Sequence, residues 1–140
     1  MYGIGNFLTR SAHQYPNRTA IADISGAMTY LELNANVNRL ANNLLRLGLS
    51  KGDRLGFLCN NCNQFVELWL ATQKVGIVAV LLNYKLTESE LGVDLRRALC
   101  KGLLYAPSLT ERVLACRTPD SQLKLLITFG QKCLPSGCVD

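Results

Sequence analysis

The stretch at residues 49–61, "LSKGDRLGFLCNN", decides the fold. Gly52 and Asp53 carry turn chemistry, residues 55–59 form a short apolar run, and Asn60 and Asn61 suit a helix start. A strand running straight into a helix is the recurring corner of α/β proteins. In many of them a phosphate or a reactive group sits at that corner. The question is whether this corner does chemistry or holds up a sheet.

The same signature recurs outward from it. "TYLE" (29–32), "NCNQ" (61–64), "TESE" (87–90) and "SLTE" (108–111) all read as capping boxes. In each, a side-chain oxygen accepts from the N3 amide while Glu or Gln reaches back to the cap amide. After Thr29, Leu33, Val37, Leu40, Ala41 and Leu44 recur at helical spacing, closing near Gly48. The second helix, through Phe65, Leu68, Trp69 and Thr72, closes near Gly76. The third, through Leu91, Leu95 and Leu99, closes near Gly102, and the last stops before Pro119. Between them lie "RLGFLC" (54–59), "IVAVLL" (77–82), "GLLYA" (102–106) and "LKLLIT" (123–128). Apolar runs without alternation are strands covered on both faces, as in a parallel sheet. The run "TAIAD" (19–23) is expected at a sheet edge, with a helix around residues 6–16 packed outside it. The pattern predicts an α/β three-layer sandwich with a mainly parallel sheet.

Composition narrows the function classes. A chain of 140 residues with 49% hydrophobic and 18% charged content is long enough for one globular core. The longest apolar run, at 75–82, is too short to span a bilayer. "MYGIGNFLTR" lacks a basic segment followed by an apolar core, so no secretory signal is expected. The expected setting is the cytoplasm, with peripheral membrane association as a variant. The net charge of +5 is spread over single and paired residues such as Arg96 and Arg97. With no basic stripe and no interleaved aromatics, nucleic acid is not an expected partner.

Candidate chemistry is sparse. Cys59 and Cys62 form a C-x-x-C pair at the strand-to-helix corner, where a helix dipole lowers a thiol pKa. Cys59 closes an apolar strand, however, and no other redox hallmark accompanies the pair, so both are read as structural thiols. A zinc site would need Cys133 and Cys138 as its second pair, and Cys100 and Cys116 have no pairing logic. His13, the only histidine, sits in no motif. Glu88 and Glu90 suit a helix N-terminus without catalysis. Neither G-x-G-x-x-G nor G-x-x-x-x-G-K-[ST] occurs. The residues by themselves assign no catalytic, cofactor-binding or metal site.

Their order carries a resemblance. Residues 28–91, "MTYLELNANVNRLANNLLRLGLSKGDRLGFLCNNCNQFVELWLATQKVGIVAVLLNYKLTESEL", resemble the N-terminal region of the AMP-forming acyl-CoA synthetases and their adenylate-forming relatives. The shared elements are T-Y-x-E-L at 29–33, G-L-x-x-G-D-R at 48–54, F-x-x-x-W-L-A at 65–71 and K-x-G-x-x-x-x-x-L-N at 74–83. Residues 7–23 are similar to the family's opening helix and first strand, and 65–86 resemble fatty-acyl members, including the fatty-acid transport branch. The resemblance implies residues 1–128 as an incomplete N-terminal portion of the adenylate-forming fold and residues 129–140 as a divergent tail. Full-length members activate a carboxylate with ATP and Mg2+ as an acyl-adenylate and then form the thioester with coenzyme A. Their phosphate loop, nucleotide contacts and catalytic lysine come later in the chain. The resemblance thus implies no cofactor bound by these residues, an inactive isolated chain, and the remainder of the enzyme fold as partner. It also answers the opening question with scaffold. The alternative is a non-catalytic α/β interaction module or a remnant of such an enzyme.

Overall fold

In the computed structural model, which describes residues 3–117, 122–129 and 138–139, Thr29 and Thr87 start helices as the sequence predicts. Thr29 caps α2 (Tyr30–Arg46) and Thr87 caps α4 (Glu88–Arg97), each through a complete capping box with Glu32 or Glu90. The described chain falls into two units, residues 1–52 with 61–77, and residues 53–60 with 78–140.

The first unit is helical apart from one hairpin. Helices α1 (Ile4–Gln14), α2 and α3 (Asn63–Val75) pack on one another. The α2 stripe Leu33, Val37, Ala41 and Leu44 is buried, as are Leu8 and Ala12 of α1 and Leu68 and Ala71 of α3. Burial of this stripe, at about 1.5–3 kcal/mol for each fully buried large apolar side chain, holds the helices together. The strand at 19–23 is not at the edge of the main sheet. As β1 (Thr19–Asp23) it pairs antiparallel with β2 (Gly26–Thr29) in a separate two-stranded sheet. The cause is local: Asp23 Oδ1 accepts from the Ser25 amide at 2.7 Å, an Asx turn that folds the chain back within two residues.

The second unit holds the parallel sheet. Its order is β4-β3-β5-β6-β7, with β3 (Arg54–Leu58), β4 (Val78–Leu81), β5 (Gly102–Tyr105), β6 (Leu125–Thr128) and β7 (Cys138–Val139) all parallel. The four runs at 54–59, 77–82, 102–106 and 123–128 therefore hold parallel strands, but β4 is the edge strand, and its Val78 and Leu81 are exposed where cover on both faces is expected. Every residue of β5, and every residue of β3 after Arg54, is buried. Helices α4 and α5 (Thr110–Cys116) cover one face, where Leu91, Leu95 and Val113 meet Leu58, Leu103, Tyr105 and Leu126.

Two predicted boxes do not form. The N-cap of α3 is Cys62 rather than Asn61, and it makes no side-chain capping bond. Ser108 falls inside a 3-10 turn, Pro107–Leu109, which precedes α5, and the α5 N-cap Leu109 likewise has no capping side chain. Pro107, whose fixed φ suits a first helical position, starts that turn earlier than the predicted box. Helix α4 also ends before Gly102. Ala98 is its C-cap and Leu99 takes the left-handed conformation at φ 53°. Cys133 and most of the predicted tail at 129–140 lie outside the described residues, while Cys138 lies in β7.

Candidate functional site

The corner that opens the sequence argument is built around the N-terminus of α3. A 13-residue helix presents unpaired amides there, and an anion is the natural occupant. The occupant is a carboxylate of the chain itself. Asp23 Oδ2 accepts from the Asn63 amide at 2.8 Å, and the Asn63 side chain donates to the Gly26 carbonyl at 3.2 Å. Asp23 Oδ1 is held by the Ser25 amide and hydroxyl. Chiefly the Ser25 hydroxyl, and then the Asn63 amide, lower the Asp23 pKa below its ordinary value. The hairpin tip thus supplies the cap that Cys62 does not, and the position where a phosphate would sit is filled.

The G-D-R motif explains itself as structure. Gly52 (φ 90°) donates its amide to the Gly76 carbonyl at 2.9 Å, and Gly76 (φ 75°) closes α3 in the left-handed conformation that glycine adopts without steric cost. Asp53 pairs with Lys101 at 2.7 Å, both side chains partly exposed. Arg54 Nη1 donates to the Ala98 carbonyl at 2.9 Å, satisfying a carbonyl at the end of α4. Three consecutive residues of the motif therefore tie turns and helix ends together.

The remaining candidates stay apart. Cys59 is buried at the end of β3, and Cys62 is half-buried and outside any disulfide. Burial pushes the Cys100 thiol up; burial, and then the Glu88 charge, push up Cys116, whose thiol donates to the Glu88 carbonyl. Neither is an activated nucleophile. His13 is exposed, as are Lys51, Lys85 and Glu88. Among the described residues no three His, Cys, Asp or Glu side chains gather as a metal site, and no helix is long and apolar enough to cross a membrane.

Two polar arrangements escaped the sequence reading. One is the Asp23 cap, which acts across 40 positions of chain. The other is Lys74, in the last turn of α3, whose ammonium is held by Thr9 of α1 and by Asn34 and Asn38 of α2. Long-range partners leave no local spacing to read. The D-x-S turn at 23–25 was the only available hint, and it points to a turn, not to its distant helix.

Comparison with known proteins places this architecture. A family model described as AMP-binding enzyme matches residues 8–137. The chain is 35% identical over 118 residues to the acyl-CoA ligase sidI of Aspergillus fumigatus, covering 80% of this chain and 20% of that protein. It is 38% identical over 104 residues to the mitochondrial medium-chain acyl-CoA ligase ACSF2 of Rattus norvegicus, covering 73% and 17% respectively. The crystal structure of the inhibitor-bound N-terminal domain of FACL13 from Mycobacterium tuberculosis superposes with a TM-score of 0.86 at 31% identity, over 91% of this chain and 33% of that one. The chain spans about a fifth of the length of the curated relatives it matches. A parallel sheet, an ordered set of motifs and a family match over nearly all of its length lead to one conclusion: the chain belongs to the AMP-binding enzyme family.

Proposed function

We propose that the chain is the N-terminal portion of an ATP-dependent, AMP-forming acyl-CoA ligase, with residues 1–128 as structural support for a reaction completed by other parts of the enzyme fold. The observation that carries this reading is the family match over residues 8–137, joined to 35% and 38% identity with acyl-CoA ligases. In that reading the substrate is a carboxylate of the fatty-acid class, ATP and Mg2+ activate it, and coenzyme A receives the acyl group. The cytoplasm is the proposed compartment.

The described residues do not fit a magnesium–triphosphate group. No carboxylate cluster gathers among them, and the α3 N-terminus already holds Asp23. No catalytic step is therefore assigned to these side chains. Their contribution is to fix α3, the β3 start and the α4 end in place through Asp23, Asp53 and Arg54.

A chimera tests the proposal. Residues 8–128 replace the matched segment of the rat medium-chain ligase, and acyl-CoA formation is measured beside thermal unfolding. The expected product is a folded enzyme that still makes acyl-CoA. A chimera that unfolds cooperatively like its parent yet makes none would overturn the proposal.

A further inference from the structure

Lys74 sits where three helices meet. Its Nζ donates to Asn34 Oδ1 at 2.6 Å and to Asn38 Oδ1 at 2.7 Å, both on α2, and to Thr9 Oγ1 at 2.9 Å on α1. An ammonium has three donors and no acceptor, so the set is complete. All three acceptors are neutral oxygens. Among the described residues no carboxylate is within ion-pair distance of Lys74. Burial lowers the Lys74 pKa, consistent with a charge balanced by dipoles alone.

The surroundings are built for this side chain. Asn34 and Asn38 are four residues apart on α2 and so share one helix face. From α1, Gly5 lies against the lysine: a Cβ there would meet Lys74 Cγ at 2.7 Å and its Cα at 2.8 Å. The backbone of α1 thus reaches α3 only because residue 5 has no side chain, and one turn later Thr9 delivers its hydroxyl to the ammonium. Oxygen dipoles replacing the hydration shell of a monovalent cation are a familiar arrangement in ion-selective proteins.

We infer that Thr9, Asn34 and Asn38 form a receptor for an ammonium-type monovalent cation, filled in the intact chain by Lys74 Nζ, and that this internal cation fixes α1 on α2 and α3. Lys74 is then a positioning residue. Its replacement leaves an empty site that a free alkylammonium ion can enter. A lysine that only packs its methylene stem against Gly5 would leave no such ion-selective site.

The test uses the full chain as Lys74→Ala, melted in ethylammonium chloride or in tetramethylammonium chloride at equal ionic strength. The substitution should lower Tm by about 5–10 °C, given three lost charge-assisted bonds in a chain of this size. Ethylammonium should restore at least half of that loss, while tetramethylammonium, which has no N–H, restores none. Equal effects of the two salts would overturn the inference. If Lys74→Ala does not fold, Asn38→Asp in the otherwise unchanged chain gives a second reading. A carboxylate beside a cation should raise Tm at pH 7, and the gain should vanish with Lys74→Met. A Tm that falls, or a gain that survives Lys74→Met, would contradict a cation-filled receptor.

Discussion

Four stretches of this sequence look alike as helix starts, and the structure divides them into two pairs. Thr29→Ala removes an acceptor for the Glu32 amide at 3.3 Å and a hydroxyl bonded to Glu32 Oε2 at 2.8 Å, leaving the Thr29 amide as the only bond of its box. Thr87→Ala does the same to the box with Glu90. Loss of an N-cap of this kind costs about 1 kcal/mol, within a range of roughly 0.5–2. Scaled to a chain of 140 residues, that lowers Tm by about 3–5 °C. Asn61→Ala and Ser108→Ala remove no capping bond, because Cys62 and Leu109 occupy those N-caps without one. Their effect should stay within about 0.5 kcal/mol. Urea and thermal unfolding of the four variants, followed by far-UV circular dichroism, give the comparison, with Thr29→Ser and Thr87→Ser as controls that keep the hydroxyl. Equal losses from all four alanine variants would refute the reasoning, since sequence resemblance and not the observed bonding would then set the energy.

Asp23→Asn should flatten the acid limb of stability. The folded-state pKa of Asp23 is lowered, so its contribution is present above the unfolded pKa and is lost as pH falls through the folded value; an unchanged slope below pH 4 in the variant would count against the cap. Gly56→Ala should destabilise by about 1–3 kcal/mol, because its Cβ would press Leu103 Cδ1 at 3.0 Å and Leu82 Cδ1 at 3.1 Å in the sheet core; denaturant midpoints measure it, and a neutral result would show that the two leucines yield freely. Replacing Cys62 by Ala should leave metal content and dithiol reactivity unchanged, and stoichiometric zinc lost with that thiol would reverse the structural reading of the pair.

What the sequence disclosed and what it hid divide along the range of the interactions. The unbroken apolar run at 54–59 holds β3, buried from Leu55 to Leu58, whereas the like run at 77–82 holds β4, whose edge position leaves Val78 and Leu81 exposed. Thr29 and Thr87 were legible because a capping box closes within four residues. Asn61 misled because α3 starts one residue later, with Cys62 as N-cap, and its first amide, that of Asn63, is served by Asp23 from far away in sequence. Leu99 misled because a leucine occupies a left-handed site where glycine is the usual signal. β2, four residues long, was too short to show a period. At the corner, Asp23 reaches the α3 N-terminus from 40 positions away, and no local pattern in the sequence announces it. Lys74 sits in the last turn of α3, and its partners Thr9, Asn34 and Asn38 lie so far away in sequence that no local spacing announces them.

The central claim is that these residues support an acyl-CoA ligase without performing its chemistry. Carboxylate-dependent exchange of labelled pyrophosphate into ATP tests it most directly, with purified chain, Mg2+ and a panel of fatty acids. Stabilising charge on the phosphates in transit takes converging amides, cations or a metal, and at the α3 N-terminus Asp23 holds that place. The account predicts exchange at background for every acid tested. Exchange that rises with added fatty acid and saturates would contradict it, because these residues would then perform adenylation themselves.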